Sequence, residues 1–315
     1  MYRSEELVSA TLDSLLTLEF DDYAVVAIDD ASPDGTFDVA RRRAETDPRL
    51  VVEANPRRLG MIRNWNRVLQ RAYELFPDFE YFAWASDNDF RDPTWLPKLV
   101  QALEAEPNAA IAYSKFGLIK GGTREAPTNR WLFESTTVAD RIERLQKTTE
   151  GLRAGPMMYG LHRRSTLERA GNVPEVLLSD VLFLCHLSLY GTFVQIPEVL
   201  WYRGARTTGG RRKRQRAALF ADPPATTYLP VPLQHVLWLF RTLVVEGRLP
   251  PGLGRGEAVH VPEVYLKSWV RRLVGRGEKA YRKFVKRRQR DLRRRARPLR
   301  PVVRRARALA RRVGA

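Results

Sequence analysis

Cysteine and long apolar runs are scarce in this sequence, and both absences exclude classes of protein. Cys185 is the single cysteine of the 315 residues, so the chain can form neither an internal disulfide nor a cluster of cysteine metal ligands. No uninterrupted apolar run reaches the roughly 18 residues of a transmembrane helix, and residues 1–6 lack the apolar segment of a signal peptide. We therefore expect a cytoplasmic protein in a reducing compartment.

Histidine pairs at metal-ligand spacing are also missing. His162, His186, His235 and His260 stand far apart in the sequence, and structural roles are expected for each. Cys185 lies in the apolar run that starts at Val181, which indicates a packed core thiol rather than a nucleophile. The chemistry must therefore come from other residue types.

The excess of positive charge is confined to the C-terminal region. The chain has a net charge of +18, and residues 271–315 hold 20 of its 54 basic residues but only 2 of its 36 acidic residues. Apolar residues recur in this region at Tyr281, Val285, Leu292 and Leu299, which predicts a basic amphipathic helix. An anionic membrane surface, a solvated tail and nucleic acid are the alternatives. Aromatic residues are few in this region, where only Tyr281 and Phe284 occur, and this argues against nucleic acid.

Strand and helix patterns alternate along the first 200 residues. Predicted strands cover residues 23–28, 50–54, 81–86, 109–113 and 192–196, and helical patterns fill most of the intervals. This alternation predicts an α/β fold with a mostly parallel sheet flanked by helices, followed by the basic helical tail. The expected regions are 1–115 and 116–205 for the two halves of this domain, which the resemblance described below implies to be a nucleotide-sugar side and an acceptor side, 206–264 for a mobile loop with a helical extension, and 265–315 for the tail.

Acidic residues follow two of the predicted strands and open one predicted helix. Asp87 and Asp89 end the strand at 81–86, where paired carboxylates suit a hard divalent ion that also holds substrate phosphates. Asp29 and Asp30 end an earlier strand, and Asp180 opens an otherwise apolar helix. The structural alternatives are a solvated acidic loop, a turn and a helix cap, respectively.

Several short motifs, taken in order, resemble those of family 2 glycosyltransferases with the GT-A fold. The resemblance covers residues 2–205 and rests on the segments listed here: Asp29 to Thr36, Asn55 to Asn66, Asp87 to Asp89, Gly160 to Leu167, Ser179 with Asp180, and Ile196 to Arg203. Ala31 stands where the family turn usually has glycine, and Ser179 stands where glutamate is common.

The resemblance implies a role for each matching residue. The implied nucleotide contacts are Tyr2, Asp29, Asp30, Asn64, Asn66 and Asp87. Asp89, assisted by Asp87, would hold Mg²⁺ or Mn²⁺, and Asp180 would be the catalytic base. Arg203 and Arg206 would close over the diphosphate.

The implied reaction is inverting transfer of a sugar from a nucleotide diphosphate sugar, expected to be UDP-linked, to a hydroxyl. A lipid-linked or glycan acceptor in cell-envelope or polysaccharide synthesis fits a tail that lies on the inner face of the plasma membrane. The competing interpretations are a catalytically impaired scaffold, a polybasic nucleic-acid-binding protein and a nucleotidyltransferase. The last of these usually has a basic, glycine-rich phosphate loop, which is absent from this sequence.

The start of the sequence departs from the family pattern. Family members begin with a central strand that ends in Tyr-Asn, whereas this chain starts at the equivalent of that end, with Tyr2 and Arg3. An unpaired sheet edge and a weakened fold are therefore expected.

Overall fold

The structure is a computed structural model that describes residues 1–120, 123–125, 133–152, 157–204 and 212–275. The chain divides into one compact unit, Met1–Ser268, and a second unit that starts at Trp269. Of the second unit, residues 269–275 are described and are helical. The boundaries predicted within residues 1–264 stay predictions.

The helices and strands are numbered here in chain order. The helices are α1 (Glu5–Leu16), α2 (Thr36–Ala44), α3 (Met61–Leu75), α4 (Trp95–Ala105), α5 (Arg141–Gly151), α6 (Arg164–Ala170), α7 (Ser179–Leu187), α8 (Arg212–Leu219), α9 (Val231–Phe240), α10 (Arg255–Ala258) and α11 (261–275). The strands are β1 (Val25–Asp29), β2 (Leu50–Ala54), β3 (Tyr81–Phe82), β4 (Asp89–Arg91), β5 (Ala109–Lys120), β6 (Thr123–Glu125), β7 (Leu161–Arg163) and β8 (Thr192–Gly204). A 3-10 turn (Ala225–Tyr228) precedes α9, and a π turn (Arg241–Val245) follows it.

The strands form two sheets. β1 and β2 pair in parallel, and the larger sheet has the order β3-β7-β5-β8-β4, with β6 paired to β5. Parallel pairing joins β5 to β8, whereas the other pairs of the larger sheet are antiparallel. The α/β class is confirmed, but the sheet is more mixed than the alternation of elements predicts.

Two strands differ in length from their sequence patterns. The predicted strand 81–86 is paired only at Tyr81 and Phe82, because the chain turns away before Asp87. The predicted strand 109–113 instead continues to Lys120, since β8 runs alongside it with bulges around Ser114 and Lys115. β5 and β8 are therefore the two long strands of the larger sheet.

Each sheet is covered by helices through apolar side chains. On the smaller sheet, α1 contributes Val8, Leu12 and Leu16, which pack with Ala27 and Leu50. Val8, Leu12 and Leu16 stand in the sequence at the spacing of one helix face. On the larger sheet, α4 packs its apolar face, including Trp95 and Leu99, against β5 and β8.

Helix α7 lies in the interior of the first unit. Every residue from Val181 to Leu187 is buried, and Asp180 is the one partly exposed residue of the helix. Cys185 is a buried free thiol whose Sγ accepts a hydrogen bond from Thr149 Oγ1 at 3.5 Å. The predicted core role of this cysteine is therefore confirmed.

The first residue lies beside the end of β1. The ammonium group of Met1 donates to the carbonyl of Ile28 at 2.6 Å, and the amide of Asp30 donates to the carbonyl of Met1 at 2.8 Å. In the described ranges β1 pairs with β2 on its other side.

Among the described helices, none is both long and apolar enough to cross a membrane.

Candidate active site

The turn after β1 begins with two buried carboxylates. Asp29 is 2% exposed and Asp30 is 3% exposed. Asp29 accepts hydrogen bonds from the backbone amide of Ser32 at 2.8 Å and from its hydroxyl at 2.6 Å. The Asp29 side chain therefore closes its own turn, in the way that aspartate commonly does.

Asp30 holds the loop between β2 and α3. Its carboxylate accepts from Asn55 Nδ2 at 2.9 Å, from the Leu59 amide at 2.7 Å and from the Gly60 amide at 2.8 Å. Hydrogen bonds to a charged acceptor are stronger than neutral ones, so this carboxylate fixes the loop firmly. The predicted contact between Asp30 and a nucleotide base stays a prediction.

Gly60 and Asn64 lie beside Asp30, and the surroundings of these three residues are called the nucleotide corner. Gly60 has a φ of 90°, and a Cβ atom there would lie 2.6 Å from both Phe220 Cα and Ala221 N, so only glycine fits. Asn64 is buried, donates to the Ile28 carbonyl at 3.1 Å and accepts from Asn55 Nδ2 at 2.9 Å. The predicted nucleotide-side motif thus ties β1 to α3.

Asp87 joins the N-terminal residues to the site. Its Oδ2 accepts from the Tyr2 amide at 2.9 Å and from the Ser4 hydroxyl. The guanidinium of Arg58 lies 4.7 Å from the centre of the Tyr2 ring. Tyr2 and Asp87, both predicted nucleotide contacts, are therefore neighbours, and a cation faces the ring.

Asp89 begins β4 and is 3% exposed. Its Oδ2 accepts from the Trp201 indole at 3.1 Å, and its Oδ1 accepts from the Gly204 amide at 3.2 Å. Burial raises the pKa of this carboxyl, while the charges of Arg91 and Arg203 act in the opposite sense. Two donors from β8 thus orient the Asp89 carboxylate, and the nearby positive charge offsets only part of the cost of burying it.

Arg91 is a buried cation behind Asp89. Its guanidinium lies 4.9 Å from the centre of the Trp95 ring and 5.2 Å from that of Trp201. Burial lowers the pKa of Arg91 to about 10, and Asp89 counteracts this effect. Sequence analysis did not identify Arg91, although its place two residues after Asp89 puts both on one face of a strand.

Tyr159 is a tyrosine whose phenol senses the charges of three of the predicted carboxylates. Burial raises the pKa of its phenol, and the charges of Asp89, Asp180 and Asp87 raise it further, whereas Arg203 opposes them. Its ring packs edge-on against Trp65, with ring centres 5.9 Å apart, and at a tilt against Trp201, with ring centres 5.1 Å apart. All three acidic residues therefore lie within electrostatic reach of one hydroxyl.

Sequence analysis did not identify Tyr159 as a site residue. It stands after Met157 and Met158, in an apolar stretch just before the Gly160 segment. A phenol in an otherwise apolar stretch was the available signal, because a buried Tyr hydroxyl usually has a polar partner.

The other predicted residues fall in different places. Arg203 lies opposite Asp89 in the pairing of β8 with β4. Asn66 does not reach the nucleotide corner through its side chain, which instead bonds both backbone groups of Val173, at 2.8 and 3.0 Å. Arg206 lies outside the described residues, as do residues 207–211 of the predicted mobile loop and the tail beyond 275.

The carboxylates fit a divalent cation by their chemistry. Within the described ranges no group of three or more acidic, histidine or cysteine side chains could hold a metal ion by itself. Mg²⁺ and similar ions, however, are commonly held by one or two carboxylates together with substrate phosphates and water. Asp87 and Asp89 supply that number of hard oxygen ligands, and the buried charge of Asp89 would be compensated by a cation.

Comparison with known proteins identifies the family. The family described as Glycosyl transferase family 2 matches residues 1–166, which is more than half of the chain. The chain belongs to glycosyl transferase family 2. An uncharacterized glycosyltransferase of Haemophilus influenzae is 26% identical to this family member over 103 residues, which are 33% of the chain and 30% of that relative.

Solved structures of other glycosyltransferases share the fold. S. aureus TarS aligns with a TM-score of 0.56 and 15% identity over 86% of this chain and 42% of TarS. Residues 1–349 of TarS in complex with UDP align over 90% of this chain and 89% of theirs, at a TM-score of 0.51 and 16% identity. The mannosyltransferase PcManGT of Pyrobaculum calidifontis, in complex with GDP-Man and Mn²⁺, aligns at 0.52 and 19% over 89% and 73%.

These likenesses confirm the GT-A fold that the motifs predicted. The identities lie below the level at which a shared fold implies a shared substrate. This family 2 chain also spans less than half of the H. influenzae relative and of the full TarS chain. Its donor and acceptor are therefore matters for proposal.

Proposed function

We propose that this chain is a metal-dependent, inverting glycosyltransferase that moves a sugar from a nucleoside diphosphate sugar, UDP-linked, to a hydroxyl group. The observation that carries the proposal is the carboxylate pair at the turn into β4, where Asp87 accepts from the Tyr2 amide at 2.9 Å and Asp89, 3% exposed, lies opposite Arg203 of β8. UDP in the TarS fragment and GDP-Man with Mn²⁺ in PcManGT support a nucleotide-linked donor. A lipid-linked or glycan acceptor in cell-envelope synthesis completes the proposal.

In this proposal Asp180 is the catalytic base, because the acceptor hydroxyl must lose a proton as it attacks. Its carboxylate takes the proton of the acceptor hydroxyl as the oxygen forms a bond to the anomeric carbon. The bond from that carbon to the diphosphate breaks, and its electron pair leaves with the nucleoside diphosphate. Attack from the face opposite the leaving group inverts the configuration.

The remaining residues bind and orient the donor. Tyr2 and Asp87 would face the nucleoside, in the corner that Asp29, Asp30 and Asn64 shape, while Arg203 and Arg206 would neutralise the diphosphate. Asp89 and Asp87 would hold Mg²⁺ or Mn²⁺, and such an ion stabilises the negative charge of a departing diphosphate. Tyr159 would donate a hydrogen bond at the centre of the site.

Calorimetric titration with UDP and Mn²⁺ tests the donor side. The wild-type chain should bind UDP only when Mn²⁺ is present. Asp89→Asn should weaken this UDP binding by at least about 10-fold, the loss expected when a residue that holds or orients the metal is changed. Asp22→Asn is the matched control, since Asp22 is an exposed carboxylate outside the site. Equal affinities for all three proteins would contradict the metal assignment.

A donor panel of UDP-glucose, UDP-N-acetylglucosamine and GDP-mannose tests turnover through nucleotide release. Asp180→Asn should lower the turnover of the preferred donor by about 10²- to 10⁴-fold, the usual contribution of a general base, without loss of UDP binding. Binding without any turnover would favour the scaffold alternative. Salt-sensitive DNA binding without UDP binding would favour the nucleic-acid alternative.

The proposed place of action is supported by an apolar surface on α9 and, separately, by the charge of residues 271–315. Leu233, Leu237 and Phe240 are exposed along one face of α9, and no charged residue occurs between positions 224 and 240. Arg241 follows with an exposed guanidinium. An apolar helix face that ends at Arg241, whose guanidinium pairs with Glu246 at 2.8 Å, fits a bilayer surface, and we propose an anionic bilayer on the inner side of the plasma membrane as its occupant.

Sedimentation with lipid vesicles tests this location. The full chain should bind vesicles that contain phosphatidylglycerol and not vesicles of phosphatidylcholine alone, and Leu237→Glu should weaken the binding. Leu7→Glu on α1 is the matched control, because Leu7 is 40% exposed and Leu237 is 45% exposed. A concentration-dependent dimer lost in Leu237→Glu, without vesicle binding, would assign the face to a second copy instead.

A further inference from the structure

The segment that leads into α7 has an unusual backbone. Leu178, immediately before the helix, has φ 55° and ψ 42°, the left-handed conformation that residues other than glycine and asparagine rarely adopt. Such a conformation costs on the order of 1–3 kcal/mol and persists only where the surroundings enforce it. Because Leu178 stands two residues before Asp180, its conformation sets where the Asp180 carboxylate points.

Helix α9 holds the residue before Leu178 by both of its backbone groups. The Leu177 amide donates to Gln234 Oε1 at 2.9 Å, and the Leu177 carbonyl lies 2.7 Å from His235 Nε2. His235 Nδ1 lies 2.5 Å from the hydroxyl of Tyr265. If that hydroxyl donates to Nδ1, the proton of the neutral ring is on Nε2, and Leu177 is held by an acceptor and a donor from adjacent residues.

Gln234 is itself fixed, and all of these groups are buried. Its Nε2 donates to the Leu229 carbonyl at 2.7 Å and to the Thr227 carbonyl at 3.3 Å. Gln234, His235 and Leu177 are each less than 5% exposed. A buried backbone group that loses its partner is costly, so the arrangement resists any shift of Leu177.

Helix α3 holds the other end of the same segment. The side-chain amide of Asn66 accepts from the Val173 amide at 2.8 Å and donates to its carbonyl at 3.0 Å. Arg63 forms an ion pair with Glu175 at 2.9 Å. Residues 173–177 are thus fixed from α3 at one end and from α9 at the other.

We infer that Gln234 and His235, with Asn66, are positioning residues that aim the carboxylate of Asp180 at the reacting hydroxyl. The inference rests on the proposed function, in which Asp180 is the base. Gln234 and His235 lie beyond residues 1–166, the part matched by the family. A displacement of about 1 Å at a reacting group can lower the rate about 100-fold, so the hold on Leu177 acts on turnover.

Two substitutions at His235 separate positioning from folding. The Nε2 of glutamine in His235→Gln can reach the site of the ring Nε2 and keep the donor to Leu177. In His235→Asn, the shorter amide matches the Nδ1 side, next to Tyr265, and leaves the Leu177 carbonyl without its donor. Both substitutions remove the imidazole ring and its packing. They differ in whether the hydrogen bond to the Leu177 carbonyl is kept.

The assay compares turnover with binding in the full chain. His235→Asn and Gln234→Met should lower turnover of the preferred UDP-sugar by about 10- to 100-fold. The Kd for UDP with Mn²⁺ should stay within about 3-fold, because the donor corner is untouched. His235→Gln should keep turnover within about 3-fold of wild type.

Arg144→Met is the matched control for stability. Arg144 is buried and donates to the Ser188 carbonyl at 3.0 Å, just after the other end of α7, so its loss disturbs the same helix away from Asp180. It should lower the melting temperature and leave turnover of the folded enzyme unchanged.

Each failure points to a different error. Wild-type turnover in His235→Asn and Gln234→Met, with Asp180→Asn inactive, would overturn the positioning role and leave the proposed function standing. Equal losses in His235→Gln and His235→Asn would also overturn it, since packing alone would explain them. A wild-type chain that binds no UDP would overturn the proposed function and this inference together.

Discussion

Asp30→Asn separates two roles for the acid that ends β1, a scaffold for the nucleotide corner or a direct contact with the nucleotide. In the structure the carboxylate accepts three hydrogen bonds, from Asn55, Leu59 and Gly60. An asparagine oxygen can take the place of Oδ1 and keep two of them, but its amide nitrogen then faces the Gly60 amide. Leaving that buried donor without an acceptor and removing the charge should cost about 2–4 kcal/mol of unfolding free energy.

The measurement is urea denaturation, with UDP and Mn²⁺ titration on the same proteins. Asp34→Asn is the control, because Asp34 lies in the same turn but is exposed, and it should cost less than about 1 kcal/mol. UDP affinity should fall in Asp30→Asn only to the extent that the loop loosens. A variant as stable as wild type that has lost UDP binding would refute the scaffold role and show that Asp30 contacts the nucleotide.

Three further predictions follow from single contacts. Gly60→Ala should cost at least about 3 kcal/mol from backbone strain and overlap with the backbone of Phe220 and Ala221, just after α8. Gly247→Ala, also at positive φ but with nothing within 4 Å, should cost about 1 kcal/mol, as urea denaturation would measure. Burial lowers the pKa of His162 and His186 to about 4, below the ordinary 6.5, so the unfolded chain binds protons first as the pH falls, and unfolding titrations should lose about 1.4 kcal/mol per histidine by about pH 5.5. Tyr159→Phe should lower turnover about 10-fold while UDP affinity stays near the wild-type value, as nucleotide release and calorimetry would show.

The fold was largely predictable because its signals are local. The apolar spacing of Val8, Leu12 and Leu16 is decided within one helix, and the order of strands and acidic turns follows from short segments. Strand pairing was less predictable because it depends on distant partners. The extension of β5 to Lys120 exists because β8, more than seventy residues later in the chain, lies beside it.

The sequence predicts candidate site positions, and their roles stay predictions. The charges of Asp87, Asp89 and Asp180 all raise the pKa of Tyr159, and the side chain of Asn66, a predicted nucleotide contact, bonds the backbone of Val173. A side-chain amide suits a nucleotide and a backbone clamp equally well, so the residue type alone could not decide. Tyr159 was missed because its neighbours in space come from four different elements.

The balance of charge at Tyr159 limits what this site can bind. Asp87, Asp89 and Asp180 all act on that hydroxyl, and Arg203 is the cation that opposes them. At an effective dielectric constant of about 20, two like unit charges about 6 Å apart repel by about 3 kcal/mol. A diphosphate, or the backbone of a nucleic acid, would meet this repulsion unless a cation came with it. Under the proposed function the same carboxylates would favour a nucleotide that arrives with a metal ion over bare phosphate, and we expect any nucleic-acid affinity elsewhere on the chain.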